Sequence, residues 1–476
     1  MTLGARGYAG VFLIGFGFFA VAVAWAAYNA YVPLMLNGLG LSTAAIGAVM
    51  ALDNVFGMTV QPLAGMVSDH TRSRLGRRLP YALIGAPIAA AALVLMPIAA
   101  ELSVGVLIGV IGVFTFVMAG WRAPIVALMP DLVPSADRSR ANGIINLMGS
   151  LGAVLMFVLG GTLLAAFSYQ GPLGFSGVLM VLAVAALVLL VREPQRFRAD
   201  RFRILQLDDP DLDGTGRAAG AEAGAPAGVA LESIGDLDAA TTATRAAHPT
   251  ADPRPRRRGF FATVRGVIAP PLALDRGERR SLLGMLAAIL LYTVGNNAVE
   301  TFMTLYLHEE LAVPETGVTT VLVPYFAAMI VWAVPAGILG HRFGRRNSML
   351  VGLVAAVGVL IAMSFARDVT ALMLLLPLFG VLWITVVVNA LPLVVEMGGV
   401  THIGTLAAYY YLAGSIGAVV SPVVFGVIRD ATGEFSLLFW YAAAAFLAGA
   451  IALVTVRHGE ARREPASEPT AAATVS

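Results

Sequence analysis

The chain has 476 residues, of which 58% are apolar and 13% are charged, and its formal net charge is +2. A water-soluble protein carries about a quarter charged residues, so this composition excludes an ordinary soluble globule. The absence of cysteine excludes disulfides and thiolate metal sites, and the six histidines show no metal-ligand spacing.

Apolar runs of about 20 residues recur along the chain, and this is the length that an α-helix needs to cross a bilayer. Backbone amides in hydrocarbon must be paired internally, so we expect each run to be helical. The first run, from Ala9, has no small-residue cleavage site after it and is expected to be retained. The predicted spans are 9–35, 43–67, 80–100, 104–129, 141–166, 173–192, 282–306, 316–340, 347–366, 370–394, 403–428 and 434–456.

Arginines set the predicted orientation, because cytoplasmic loops carry the excess of positive charge. They are concentrated after the second, fourth, eighth and last spans, whereas loops 37–42 and 168–172 contain none. Both termini are therefore expected in the cytoplasm, with the chain in a bacterial-type inner (plasma) membrane. Residues 193–280 are rich in Ala, Gly, Pro, Asp and Arg and are expected to form a disordered cytoplasmic linker; a regulatory domain is the alternative. The predicted parts are a six-helix bundle at 1–192, this linker, a second six-helix bundle at 281–457 and a disordered tail at 458–476.

An internal repeat supports the two halves. The second span leads to Gly76-Arg77-Arg78, and the eighth span leads to Gly344-Arg345-Arg346. Repeated halves are typical of carriers that rock around a central site.

The stretch Gly65-Met-Val-Ser-Asp69, followed by Arg72-Ser-Arg74-Leu-Gly76-Arg77-Arg78-Leu-Pro80, resembles the loop signature of the major facilitator superfamily. More narrowly, it resembles the form found in glycoside–pentoside–hexuronide:cation symporters and sucrose:proton symporters. The segment from Pro124 to Asp131 resembles the fourth-helix exit of the sucrose carriers. The resemblance covers both halves but not the linker. It implies an all-α membrane protein of twelve helices in two pseudo-symmetric bundles.

The loop signature also predicts a conformational latch. Glycines at 65 and 337 allow another helix to approach closely, and Asp69 is placed to pair with loop arginines and helix N-termini. Such a cluster would hold the arginine-rich side in one conformation and separate in the other; the alternative is that the arginines only set topology. His341 stands where the first half has Asp69, which predicts a weaker latch in the second half. The predicted latch residues are Gly65, Asp69, Arg74, Gly76, Arg77, Arg78, Gly337, Gly344, Arg345 and Arg346.

Asp53, near the middle of the second span, is the predicted proton-coupling residue. Ionisable groups inside spans are costly and usually face a cavity, where a carboxylate can take up and release a proton. A permanently paired helix-packing residue is the alternative. The resemblance does not supply this site, because Thr115 stands near the acidic position of plant sucrose carriers. Gln61 and Gly57 stand where melibiose-type carriers have sodium-binding aspartates, so a proton is expected as the coupling ion, and no cofactor is expected.

Further polar side chains are expected around a midplane substrate site. Arg122 either binds hydroxyls through its fork of donors or snorkels to the interface, and the helical rise separates it from Asp53 by about 12 Å in depth. Glu300 is expected as a second protonatable group or an outer gate contact. The predicted substrate-binding residues are Tyr28, Asn29, Asn54, Arg122, Asn146, Asn296, Asn297, Asn389 and Tyr409, with interhelical bonding or the interface as the alternative for each.

These patterns favour secondary active transport by alternating access. Proton-coupled uptake of a sugar or glycoside ranks first, and proton-coupled export of a drug or metabolite ranks second. No Walker motif, metalloprotease motif or nucleophile with a nearby histidine is found, so ATP hydrolysis and enzyme activity are not expected. A membrane sensor would need an ordered domain in the linker. The expected partners are one small-molecule substrate and the lipid bilayer, without nucleic acid, and the expected state is a monomer.

Overall fold

The structure, a computed structural model, describes residues 5–71, 73–133, 138–191, 276–397 and 403–457. The predicted tail at 458–476 lies outside these ranges, and so does the predicted linker except for residues 276–280, which are helical. The described helices are α1 (Ala5–Gly38), α2 (Thr43–Met50), α3 (Leu52–His70), α4 (Leu79–Leu102), α5 (Val104–Leu132), α6 (Arg138–Phe167), α7 (Gln170–Leu190), α8 (Arg276–Glu309), α9 (Glu315–Phe343), α10 (Arg345–Ser364), α11 (Val369–Glu396), α12 (Ile403–Thr432) and α13 (Leu437–Val454).

Twelve stretches in the described ranges are long and apolar enough to cross a membrane, and α2 with α3 forms one of them. The predicted twelve spans are therefore confirmed, with ends that differ by a few residues. Polar side chains start several of these helices: Ser103 Oγ accepts the Val106 N–H at 3.2 Å, and Asp368 accepts the Ala371 N–H at 2.8 Å. Such N-caps satisfy amides that lack a partner within the helix.

The helices form two sets, which we call the first half (α1–α7) and the second half (α8–α13). In the first half α1 packs on α6 and α7, α5 packs on α3 and α4, and α4 packs on α7. In the second half α8 packs on α12 and α13, α11 packs on α9 and α10, and α10 packs on α13. The five pairings correspond one to one, so the internal repeat seen in the sequence is also a repeat of packing.

The two halves approach each other at one end of the molecule. We call the end with Arg77, Arg78, Arg345 and Arg346 the arginine-rich end, and the end where α1 is followed by α2 the arginine-poor end. At the arginine-poor end, glycines allow backbones of opposite halves to touch. A Cβ added at Gly47, Gly161 or Gly426 would collide with the backbone of Pro422, Thr316 or Ala44, respectively.

Glycines nearer the arginine-rich end have no such neighbour. Within the described part of the chain, a Cβ added at Gly65 or Gly143 would meet no atom within 4 Å, and one at Gly337 would meet Val388, of its own half, at 3.6 Å. The close helix approach predicted at Gly65 is therefore not made in this conformation. Among the described residues, the halves are therefore in close backbone contact at the arginine-poor end, and the glycines near the arginine-rich end make no contact with the opposite half.

Candidate functional site

A cavity of about 220 Å³ lies between the two halves. Side chains from α1 and α6 of the first half and from α8, α9 and α11 of the second half line it. Its polar members include Asn29 on α1 and Asn296, Glu300 and Thr304 on α8. The three α8 residues are spaced by four, so one face of that helix carries them all.

Aromatic rings form much of the remaining wall. Phe157 of α6 stacks on Phe326 of α9 with ring centroids 4.4 Å apart, so this pair joins the halves. Tyr325 stacks on Phe379 with centroids 5.9 Å apart. Trp25 also faces the cavity. The wall therefore offers several flat apolar faces beside a few hydrogen-bonding groups, which is the usual make-up of a small-molecule site.

Among the described residues, Glu300 is the carboxylate in this wall. Its side chain is exposed to the cavity, and Asn296 donates a hydrogen bond from Nδ2 to Glu300 Oε2 at 3.3 Å. Asn296 itself is buried, with 5% of its surface exposed. Because Asn296 lies one turn before Glu300 on the same helix, it fixes the direction in which the carboxylate points.

Asp53 lies just after a break in the second span. Helix α2 ends at Met50, Ala51 is a turn residue, and Asp53 occupies the first turn of α3. Asp53 Oδ1 accepts the Asn54 N–H at 2.5 Å and Asn54 Nδ2 at 2.6 Å. The carboxylate is therefore hydrogen-bonded to the backbone and side chain of the next residue, just after the break.

Asp53 is close enough to Arg122 and to Glu300 for electrostatic interaction. Arg122 interacts in the same way with Tyr411 of the second half, and its side chain is exposed. In the described part of the chain no ion pair within 4.0 Å joins Asp53 and Arg122. Asp53 thus interacts electrostatically both with Arg122 and with Glu300, and Glu300 is part of the cavity wall.

Three of the predicted residues, Asn29, Asn296 and Glu300, line the cavity. Tyr28 is fully buried behind the wall, stacked on Phe114 with centroids 5.2 Å apart. Asn297 follows Asn296 on α8, but the helical turn takes it out of the wall.

Asn389 occupies a helix contact and is not part of the cavity wall. It is 2% exposed, and its Nδ2 donates to Ala336 O at 3.2 Å and to Thr385 O at 2.9 Å. It packs on Gly340, where a Cβ would collide with the amide. Asn146 is exposed and Tyr409 is partly buried, and neither lines the cavity.

Sequence reasoning missed Thr304, Phe157, Tyr325, Phe326 and Phe379 as members of the wall. Thr304 had a usable signal, because it follows Glu300 by four residues on a helix. The rings had none, because an aromatic residue in a span faces lipid, protein or cavity according to a helix rotation that packing sets.

The predicted latch residues form clusters inside each half. Asp131 Oδ1 accepts Arg77 Nη2 at 2.6 Å, and Asp131 Oδ2 accepts Arg78 Nε at 2.9 Å. Arg78 also pairs with Asp69 Oδ1 at 2.5 Å. In the second half Arg345 pairs with Glu396. These contacts tie loops to helices of the same half, and their role as a latch between halves stays a prediction.

Two more latch positions are turn glycines. Gly76 and Gly344 have φ values of 102° and 90°, a region that residues with a side chain rarely adopt. Gly344 separates α9 from α10, and Arg346 then donates from Nη2 to Val454 O at 2.9 Å. Arg74 lies in the loop between α3 and α4.

Hydrogen bonds between the halves cluster at the arginine-poor end. Asn37 Nδ2 donates to Glu309 Oε1 at 2.7 Å, and the Tyr169 hydroxyl donates to Glu315 Oε2 at 2.6 Å. Burial and the Glu315 carboxylate raise the pKa of Tyr169, so its hydroxyl remains a donor. Asp430 of α12 accepts backbone amides at the start of α2. Together these contacts close the cavity at this end.

A sequence profile of the Major Facilitator Superfamily matches residues 14–397 and 285–476. The chain belongs to this superfamily. Membership of this superfamily, together with the twelve spans and the cavity between the halves, identifies the chain as a multi-pass membrane protein. It is a secondary transporter of a small molecule and not an enzyme.

Among curated relatives, the chain is 25% identical over 197 residues to the quinolone resistance protein NorA of Staphylococcus aureus, covering 41% of this chain and 48% of NorA. It is 29% identical over 197 residues to proton-associated sugar transporter A of Rattus norvegicus, covering 37% of this chain and 26% of that protein. The chain thus spans about half the length of NorA and about a quarter of the length of the sugar transporter. The narrower likeness to glycoside and sucrose carriers is not established by them.

Solved structures share the fold over nearly the whole chain. A bacterial homolog of the human lysosomal transporter Spinster, inward-facing and occupied, superposes with a TM-score of 0.65 at 14% identity, covering 96% of this chain and 95% of that one. A variant of the nucleoside transporter NupG superposes with a TM-score of 0.63 at 15% identity, covering 94% and 99%.

Proposed function

We propose that this transporter takes up a sugar or glycoside together with a proton by alternating access. The observation that carries the proposal is the cavity wall, in which Asn29, Asn296 and Glu300 stand among aromatic rings. Amides both donate to and accept from hydroxyl groups, and flat rings pack on the apolar faces of a sugar ring. Both halves contribute to this wall, as a site that alternates between two sides requires.

In this proposal Asp53 and Glu300 carry the proton coupling. Asp53 interacts electrostatically with both Arg122 and Glu300, so a change of charge on Asp53 changes the electrostatic energy of both partners. Gln61 and Gly57, at the sodium positions suggested by the resemblance, carry no charge. A proton therefore fits better than sodium.

The orientation is also part of the proposal. If the arginine-rich end faces the cytoplasm, as the distribution of arginine favours, the structure is the inward-facing state of a monomer in a bacterial-type plasma membrane. Uptake would then end with release of the solute through the end at which Gly65 faces open space.

The test is a solute-driven pH change with purified protein in proteoliposomes. Monosaccharides and disaccharides are added outside right-side-out vesicles, and external alkalinisation with one sugar is expected. The signal should be lost in Asp53→Asn. Loss of one hydrogen bond in the wall should raise the half-saturation concentration about ten-fold in Asn296→Ala but little in Asn297→Ala, which is the matched control outside the wall.

Export of an amphipathic cation is the second candidate. The described wall is mostly apolar and aromatic and includes the Glu300 carboxylate, and rings with a carboxylate also bind organic cations. NorA, which its name connects with quinolone resistance, is among the relatives. Proton efflux driven by cationic drugs, with no response to any sugar, would replace the sugar proposal with this one. A sugar signal that survives Asp53→Asn would leave uptake in place and move the proton site to Glu300.

A further inference from the structure

The N-terminus of α2 is held by a residue from the other half. Asp430, near the end of α12, accepts the Thr43 N–H through Oδ1 at 2.8 Å and the Ala44 N–H through Oδ2 at 2.9 Å. Within the first half, the Ser42 hydroxyl accepts the Ala45 N–H at 3.3 Å. The first amides of a helix lack intrahelical partners and carry its positive end, so a carboxylate there makes charge-assisted bonds.

Backbone contact reinforces this connection. Gly47 of α2 lies directly against the carbonyl of Pro422, and a Cβ added at Gly426 would come within 2.5 Å of Ala44 Cα. Helix α2 has far more neighbours on α12 than on α1 or α3. In its contacts, α2 therefore belongs to the second half, although the chain connects it to the first.

A break separates α2 from the rest of its span. Helix α2 ends at Met50 and α3 begins at Leu52, with Ala51 between them. Asp53 lies two residues beyond Ala51 and binds the Asn54 amide with its side chain. Any movement of α2 relative to α3 must therefore change the backbone conformation next to this carboxylate.

We propose that Asp430 is the lock of the gate at the arginine-poor end. Its carboxylate holds α2 on α12 while the cavity is open at the other end, and release of α2, bending at Ala51, opens the cavity to the arginine-poor side. Asn37 and Glu309, which also join the halves at this end, share a single side-chain hydrogen bond, whereas Asp430 makes two charge-assisted bonds to backbone amides at a helix N-terminus. The inference rests on alternating access and not on the identity of the solute, so it can fail or succeed independently of sugar uptake.

The test measures a distance across the gate. The chain contains no cysteine. In the double variant Leu102→Cys, Phe365→Cys, nitroxide labels therefore attach at these two positions alone. Both side chains are exposed, at 71% and 63%, and lie at the arginine-poor ends of α4 and α10 in opposite halves. Electron–electron double resonance in lipid nanodiscs, without solute, then gives the populations of closed and open gates.

In Asp430→Ala the ratio of long to short distances is expected to rise about five-fold, the usual effect of losing a helix cap. Asp368→Ala is the matched control, because Asp368 caps α11 at the same end but within its own half. Its distance distribution should equal that of the parent. An unchanged distribution in Asp430→Ala, or an equal shift in Asp368→Ala, would overturn the proposal.

A second pair of variants covers the case in which Asp430→Ala does not fold. Gly426→Ala places a methyl group against Ala44 and should also favour the open gate, whereas Gly414→Ala on the same helix meets no atom closer than 3.9 Å and should not. If Gly426→Ala leaves the distances unchanged, α2 is not held on α12 as proposed. Transport assays are not needed for either readout.

Discussion

Replacing Asp131 should destabilise the protein far more than replacing Asp69, the acid of the loop signature. Asp131 receives three hydrogen bonds from Arg77 and Arg78, at 2.6, 2.9 and 3.1 Å. Asp69 pairs with Arg78 at 2.5 Å and lies 4.0 Å from Arg77. The Asp131 side chain is 13% exposed, whereas that of Asp69 is 50% exposed.

The expected magnitude follows from this difference in burial. Breaking a buried ion pair by removing one partner costs about 3–5 kcal/mol, and the partial exposure of this cluster places Asp131→Asn near the lower end, about 3 kcal/mol. An exposed pair contributes about 0–1 kcal/mol, which is the range expected for Asp69→Asn. Both substitutions keep the side-chain shape, so the comparison isolates the charge.

Heating detergent-solubilised protein with a fluorescent fusion, followed by size-exclusion chromatography, measures the apparent midpoint of unfolding. At about 2 °C per kcal/mol, Asp131→Asn should lower the midpoint by about 6 °C and Asp69→Asn by no more than about 2 °C. Equal losses, or a larger loss for Asp69→Asn, would refute the argument that burial decides the strength of these pairs.

Three further predictions concern the helix contacts and the cavity. Asn389→Ala removes two buried hydrogen bonds and should lower the free energy of unfolding by about 1–3 kcal/mol, with the half-saturation concentration for transport unchanged. A transport defect without a loss of stability would place this residue in the site instead. Gly161→Ala should slow transport because its methyl group collides with the second half, whereas Gly174→Ala, which faces open space, should not. Phe157→Ala removes one aromatic face from the cavity wall and should weaken binding of a solute that stacks on it by about 0.5–1.5 kcal/mol, measured by calorimetry; unchanged affinity would exclude this wall from the site.

The twelve helices could be predicted because the bilayer sets their length and demands internal pairing of every amide. The break at Ala51 could not, because no proline or glycine marks it. Pro62, a residue that would suggest a break, lies inside the continuous helix α3. Tertiary contact of α2 with α12 therefore decides where this span is divided, and local propensity does not.

The candidate site was predictable only in part, for a similar reason. Asn296 and Glu300 were found because polar groups are rare in spans and these two share a helix face. Asn389 is also a polar residue inside a span, but its side chain donates a hydrogen bond to a neighbouring helix. The ring of Tyr325 gave no signal, because an aromatic residue is as common at a lipid interface as in a cavity. Composition identifies the candidates, and only packing decides which way each one faces.

The tryptophans give the cavity a built-in optical probe. All five tryptophans of the chain lie in its described part, and Trp25 is the one in the cavity wall. Trp121 is buried against Gly85, and Trp332 donates to Thr385, away from the wall. A solute that enters the cavity would therefore contact Trp25 and alter its emission. Intrinsic fluorescence can then follow occupancy directly, without a label and without knowing the direction of transport.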